Sequence, residues 1–414
     1  MKFDKLKRTI KEGIHDMSII WANEMKMTVK DEAVLIFFLL ASTIYPFLYS
    51  WIYNNEVVRE VPVAVVDYSH SAESRKFIRL CNASPDVKVA YHCTSLTEAK
   101  DLVGRQKAKG VLYFPSDFDT NICRGEQAHV SVFCDMSLML TYKAIYQTVQ
   151  AVSSQMGSEI QLASSTGFTD RDDEATVRPL EFDEVSIFNP TGGYGSFLLP
   201  AVLILVIQQT LLLGIGLAAG TNRENNRYGE LIPIDQHYRG LFRIVMGKAL
   251  CYFMIYALVA AYLTMILPTI FHFPLLGSLR SLVGLMVPYI LACIFFGITL
   301  SCLVRYRENV MLLVVVTSLP FLFLSGISWP SEGIPAFWKG ISWLLPSTFG
   351  VKGYIAVNSM GATLQDISHE YFALWAQSLI YFFTSCLFYK VQIDRAIKQE
   401  KEDLDTSEVC QDTI

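Results

Sequence analysis

Charge is scarce in this sequence. Asp, Glu, Lys and Arg make up 18% of its 414 residues, against about 25% in an average soluble domain. The deficit is local. Ala33–Tyr53, Ser196–Ala219, Ala249–Ile270, Ser281–Val304, Val310–Trp329 and Tyr371–Tyr389 contain none of the four. A helix needs about 20 apolar residues to cross roughly 30 Å of hydrocarbon, so these six stretches exclude an ordinary soluble enzyme and a disordered chain. The net charge of −5 excludes a broadly basic nucleic-acid binder, and no nucleic acid is expected among the partners.

The recognisable catalytic and nucleotide motifs are also missing. The nine cysteines have no CxxC spacing, which leaves a zinc site without support. The nearest approach to a phosphate-cradling GxxxxGK[ST] loop is Phe242–Ala249, which lacks the first glycine and ends in alanine. His369-Glu370-Tyr371-Phe372-Ala373 lacks the second histidine of HExxH. Gly326–Pro330 and Gly340–Leu344 lack the closing glycine of a nucleophile elbow. No catalytic residue, cofactor or metal site is therefore expected on this chain. The six stretches also lack the buried ionisable groups that ion-coupled carriers use as relays, so any driving energy is expected from a partner.

What is present is a multi-pass pattern. Lys and Arg cluster in the N-terminal segment, after the second and fourth stretches, and after the sixth. The connections after the third and fifth are nearly free of them. This alternation places both termini in the cytoplasm. The first apolar run begins at residue 33 and reads as an uncleaved signal anchor. Trp51, Trp329, Trp338, Trp343, Trp375 and Trp21 all fall where a lipid–water interface is expected. Ahead of the first stretch, Ile14, Met17, Trp21, Met25 and Val29 recur at helical spacing. They predict an amphipathic helix in the inner interface, with Trp21 and Met25 toward lipid.

Between the first two stretches lies a segment, 54–195, of different character. Val61–Asp67, Val87–His92, Gly110–Phe114 and His129–Cys134 read as strands. Ser69–Cys81, Leu96–Gln106, Ser116–Cys123 and Leu138–Ser165 read as helices. The alternation predicts an extracytoplasmic α/β domain on a parallel sheet. Strand lengths disfavour Cys81–Cys123-type crossings less than pairs across one strand. Cys81–Cys123, Cys93–Cys134 and four free thiols therefore stay open. The acidic run Asp170, Asp172, Asp173 and Glu174 fits a solvated loop or a metal site.

The most specific stretch is Phe321–Tyr354, FLFLSGISWPSEGIPAFWKGISWLLPSTFGVKGY. Ser325-Gly326 ends a helix, and Pro330, Pro335 and Pro346 each interrupt one. The apolar pieces between them, Trp338 included, are too short to span. Broken backbone at membrane depth survives only inside protein or along a cavity, so 328–350 reads as an external re-entrant segment. This pattern resembles the ABC-2 type permease subunits of ATP-driven exporters, in the subgroup with a large periplasmic insert after the first transmembrane helix. Val61–Val89 and Asn189–Asn225 are similar to the insert and to the second span of that subgroup.

The resemblance implies six transmembrane helices: a cytoplasmic N-terminus over 1–32, helix one over 33–53, helices two to six within 196–391, and a cytoplasmic tail over 392–414. It implies that loop 220–243 docks on a separate ABC ATPase subunit, which carries ATP and Mg. The family's loop pattern is matched at Arg223, Glu224 and Gly229. Arg227 lies between them, and Glu230 stands where threonine is usual. It implies half of a translocation path in the bacterial inner membrane, completed by a second permease chain, identical or sibling, with a periplasmic adaptor as a further partner. Gln208, Gln209 and Gln377 are path candidates or glue between helices, and Gly216–Gly220 is a close-packing pair serving a dimer or one subunit. The alternative is a membrane-anchored sensor or assembly protein with an extracytoplasmic ligand-binding domain.

Overall fold

A computed structural model describes residues 2–164, 187–189, 192–224, 240–304 and 306–411, with the backbone alone at 2–10, 164, 222–224 and 393–411. The chain divides into two compact units, Met1–Asn54 with Ile187–Ile414, and Asn55–Ser186. The first unit opens with α1 (Lys2–Lys30) and α2 (Glu32–Asn55). Asp31 caps α2 by accepting from the N–H groups of Ala33 and Val34.

The second unit is a small α/β fold: β1 (Val61–Asp67), α3 (Ala72–Ala83), β2 (Val87–Cys93), α4 (Leu96–Gly104), β3 (Gly110–Phe114), α5 (Phe118–Cys123), β4 (Ser131–Cys134) and α6 (Met139–Ser164). The strand order is β2-β1-β3-β4. β1 is apolar on both sides because both sides are covered. Val63 and Val65 join Phe77, Leu112 and Ile145 beneath α3 and α6. Ala64 and Val66 join Ala99 and Val111 beneath α4. Lys76 and Glu159, 2.5 Å apart, tie α3 to α6.

The expected all-parallel sheet is corrected at its edge: β1 pairs parallel with β2 and β3, but β4 runs antiparallel to β3. A parallel return must run back along the length of β3, five residues or about 17 Å, and the six residues of α5 rise only about 9 Å. Cys81, Cys93, Cys123 and Cys134 are all free thiols, so neither pairing left open by the sequence forms. Burial of Cys81, on the inner face of α3 in the same apolar cluster, pushes its thiol up to about 12. The acidic run 170–174 lies outside the described residues.

The first unit continues with α7 (Tyr194–Glu224), α8 (Leu241–Ile270), α9 (Leu279–Ser301), α10 (Arg307–Leu324), α11 (Ala336–Ser342), α12 (Pro346–Met360) and α13 (Ser368–Gln411). Six of its helices, α2, α7, α8, α9, α10 and α13 as far as Gln392, are long and apolar enough to cross a membrane. α7 and α9 form the centre. Tyr289 of α9 donates to the Ile204 carbonyl of α7 at 2.7 Å. Thr299 of α9 meets Ser385 of α13 at 3.0 Å. The Gly216–Gly220 pair serves packing within one chain. A Cβ at Gly220 would stand 3.0 Å from the Arg307 Cα, and one at Gly216 would overlap Val310 of α10.

Two expectations about the spans are corrected. α8 begins at Leu241, two turns before the charge-free stretch, and Lys248 is buried inside it. The span holds an ionisable residue because a carboxylate from α1 neutralises it. α10 ends at Leu324, so Trp329 lies beyond the helix and does not close it. Gly326 takes φ +86°, a left-handed conformation that stops the helix.

Candidate functional site

Two polar constructions stand out in an otherwise apolar bundle. The first is the junction of α1 with α8, α7 and α10. Arg243 donates to Asp16 at 2.6 Å, and Lys248 meets Glu24 at 3.1 Å. Tyr252, one turn beyond Lys248, donates its hydroxyl to the same Glu24 carboxylate. The side chains of Lys248 and Glu24 are only 7% and 6% exposed. Gly247 makes room for this crossing: a Cβ there would stand 2.8 Å from Ile20 of α1. Asp31, besides capping α2, accepts from Thr221 of α7 at 3.2 Å and meets Arg307 of α10 at 3.5 Å. One segment ahead of the first span thus holds α8 and α10 by ion pairs and α7 by a hydrogen bond.

The face α1 turns inward is therefore Gly13, Asp16, Ile20, Glu24 and Thr28. The apolar stripe lies elsewhere, with Ile14 and Val29 exposed and Met17, Trp21 and Met25 half-buried. The apolar stripe alone gave no sign that Asp16 and Glu24 are buried. The usable signal was the pair of acids Asp16 and Glu24 on α1 and the pair of bases Arg243 and Lys248 at the start of an apolar helix. Of the residues expected to dock a partner, Arg223 and Glu224 form the last turn of α7. Arg227, Gly229 and Glu230 lie outside the described residues. α7 ends and α8 begins at the junction.

The second construction is the broken segment. After Ser325 and Gly326 the chain forms a single turn at Ser331–Gly333 following Pro330, then α11 after Pro335 and α12 with Pro346 as its first residue. Trp329, Trp338 and Trp343 are exposed. Gln208, 1% exposed in α7, accepts from the Ser347 N–H at 2.7 Å and so caps α12. Gln377 of α13 donates to the Trp343 carbonyl at 2.7 Å, and the Tyr381 hydroxyl donates to the Leu344 carbonyl. At about 1.5 Å per residue, Gln208 lies about 20 Å along α7 from Thr221. α12 therefore starts halfway along the bundle. It ends where Asn358 donates to the Pro274 carbonyl in the α8–α9 connection.

The structure brings Gln208, Gln377 and Pro346 together around one connector. Gln209, next along α7, is half-buried, and neither end of its amide has a hydrogen-bond partner among the described residues. Gln208 Nε2, Gln377 Oε1, Ser347 Oγ and Thr348 Oγ1 are likewise buried without one. Buried polar atoms normally find partners, so these groups can accept polar contacts from water or cargo. Ser347, Thr348 and Tyr381 were missed in the sequence because hydroxyls on apolar helices carry no distinctive spacing.

Comparison with known proteins bears on this arrangement. A family model described as ABC-2 family transporter protein matches residues 33–387. Two relatives, each named probable multidrug ABC transporter permease YbhR, come from Escherichia coli K12 and Escherichia coli O157:H7. Each is 22% identical over 251 residues, 60% of this chain and 64% of the relative. The match thus spans under two thirds of either relative's length.

Proposed function

Because this multi-pass membrane chain belongs to the ABC-2 family of transporter proteins, we propose that it is the permease subunit of an ATP-driven exporter, half of a translocation path driven by a separate ATPase. The relatives' printed names make multidrug cargo one reading of the substrate. ATP and Mg belong to the partner subunit. A second permease chain completes the path, in the bacterial inner membrane with both termini cytoplasmic, and an adaptor is the candidate partner of the Asn55–Ser186 unit.

The observation that carries this reading is the junction. α1, the end of α7, the start of α8 and the start of α10 are joined by Asp16, Glu24 and Asp31. A force applied by an ATPase to the chain between α7 and α8 reaches α8 and α10 through ion pairs and α7 through the Thr221–Asp31 hydrogen bond. On the other side of Gln208, the broken segment supplies a gate of short helices held by three side chains. Its unpartnered amides and hydroxyls offer polar contacts to departing cargo.

The test is isolation of the full chain with its ATPase. Arg223→Ala/Glu224→Ala is expected to leave the permease folded and the ATPase bound or free, but to collapse transport-coupled hydrolysis. Export by the chain with no ATPase present, or labelling of a cysteine introduced in 225–239 by an impermeant thiol reagent added outside intact cells, refutes the reading.

A further inference from the structure

The α/β unit carries a pocket that the transport reading does not use. It has a volume of about 510 Å³ and lies between α3 and the end of β2, within the range of small-molecule sites. β2 is the edge strand of the sheet, so the pocket opens at that edge. Arg75 and Arg79, one turn apart on α3, line it together with His70 and His92. Among the described residues none of these four makes an ion pair.

Among the described residues the only carboxylate in the lining is Asp67, and its oxygens are committed. It accepts from the N–H groups of Ser69 and His70 and from the Ser74 hydroxyl at 2.7 Å. The N-terminus of α3 is occupied too, by the reciprocal capping box of Ser71 and Ser74. The two guanidiniums and two imidazoles therefore define the site, not the helix end.

The sheet is irregular at this point in a way that serves the pocket. Val63 pairs with Val89, but the next residue, Ala64, pairs with Tyr91. Ala90 is thus an extra residue, and every side chain after it changes face. His92 consequently stands opposite Val65, on the α3 side. In a regular strand, continuing from Val87 and Val89, that place would fall to Tyr91 or Cys93. The bulge delivers an imidazole to two guanidiniums.

We propose that this pocket binds a phosphate group carried on a short apolar body, held by Arg75 and Arg79 with His92 and His70. Guanidinium forks pair with phosphate through two oxygens at once. Two forks and two imidazoles supply more donors than the two oxygens of a carboxylate use. Ile78, Val65 and Val89 in the same lining give the body an apolar wall. A soluble phosphate ester and the headgroup of an anionic lipid share this chemistry. The inference stands independently of the exporter reading.

The experiment is calorimetric titration of hexyl phosphate into the full chain in dodecyl maltoside, a detergent without phosphate. Saturable binding at one site per chain is expected. Arg75→Gln/Arg79→Gln should weaken it about tenfold or more, as loss of charge-assisted hydrogen bonds does, and Lys107→Gln should leave it unchanged. The unfolding midpoint of each variant shows that the fold is retained, and Arg79→Gln alone gives the same reading if the double variant unfolds. Repeating the titration in phosphatidylglycerol nanodiscs separates the sources. Competition by the lipid identifies the headgroup as occupant, and undiminished binding identifies a soluble ester. Absence of saturable binding, or equal affinity in a folded Arg75→Gln/Arg79→Gln chain, overturns the proposal.

Discussion

Lys248 Nζ lies 3.1 Å from Glu24 Oε2, with both side chains less than a tenth exposed. A helix that precedes the first span and the third span thus share one buried charge pair, shielded further by the Tyr252 hydroxyl on the same carboxylate. Removing one partner of such a pair leaves the other charged and unpaired, at a cost of about 3–5 kcal/mol. Glu24→Ala should therefore sharply lower the unfolding temperature in detergent. Glu24→Gln/Lys248→Met, which removes both charges, should recover most of it. A double variant no better than Glu24→Ala contradicts the pairing.

Gln208 caps α12 by accepting from Ser347 N–H. Gln208→Leu orphans a buried backbone donor, which costs about 1–3 kcal/mol. The effect should be local. Amide exchange across 343–348 should speed up, while exchange in the α7–α9 contact around Ile204 and Tyr289 stays slow. Unchanged exchange over 343–348 removes Gln208 from the support of the broken segment.

Two glycines in helices should respond oppositely to alanine. Gly216 faces Val310 of α10 with no room for a Cβ, whereas Gly157 of α6 has nothing within 4 Å. Gly216→Ala should destabilise by about 1–3 kcal/mol through overpacking. Gly157→Ala should stabilise by up to about 1 kcal/mol through helix propensity. Thermal unfolding of the two purified variants reads both signs.

Thiol chemistry should rank the four cysteines of the α/β unit. Cys123 is exposed, and Cys81 is buried with its thiol pushed up to about 12. Alkylation at pH 8 followed by peptide mass spectrometry should modify Cys123 first and Cys81 last. The sign for stability follows from linkage. The unfolded thiol ionises near about 8.5 while the folded one does not. The Cys81 contribution is complete below that pH and declines as pH rises above it. Cys81→Ala should flatten that alkaline decline.

Much of this architecture was readable in the residues. The strands Val61–Asp67 and Gly110–Phe114 are found at the positions the β-branched runs indicated, because both faces of each are covered and every residue must be apolar. The breaks at Ser325-Gly326, Pro335 and Pro346 were equally legible, since proline and left-handed glycine act through their own backbone. The direction of β4 was not. It depends on whether α5 is long enough to cross the sheet, which is a distance in space. The burial of Asp16 and Glu24 was not legible either, because an acidic residue reads as solvent-facing until its cation is located.

The order of the residues by itself determined the class of molecule: six apolar runs of spanning length, an α/β segment between the first two, and a proline-broken stretch ahead of the last. Each is a local property of hydrophobicity, strand or helix preference, or backbone restriction. Tertiary structure alone decided which distant groups share a site. Asp16 finds Arg243 across 227 positions of sequence, Gln208 finds Ser347 across 139, and His92 reaches the α3 side through one extra residue in a strand. Charge pairing and hydrogen bonding act over a few ångströms in space, and the pattern along the chain offers candidates without fixing which of them meet.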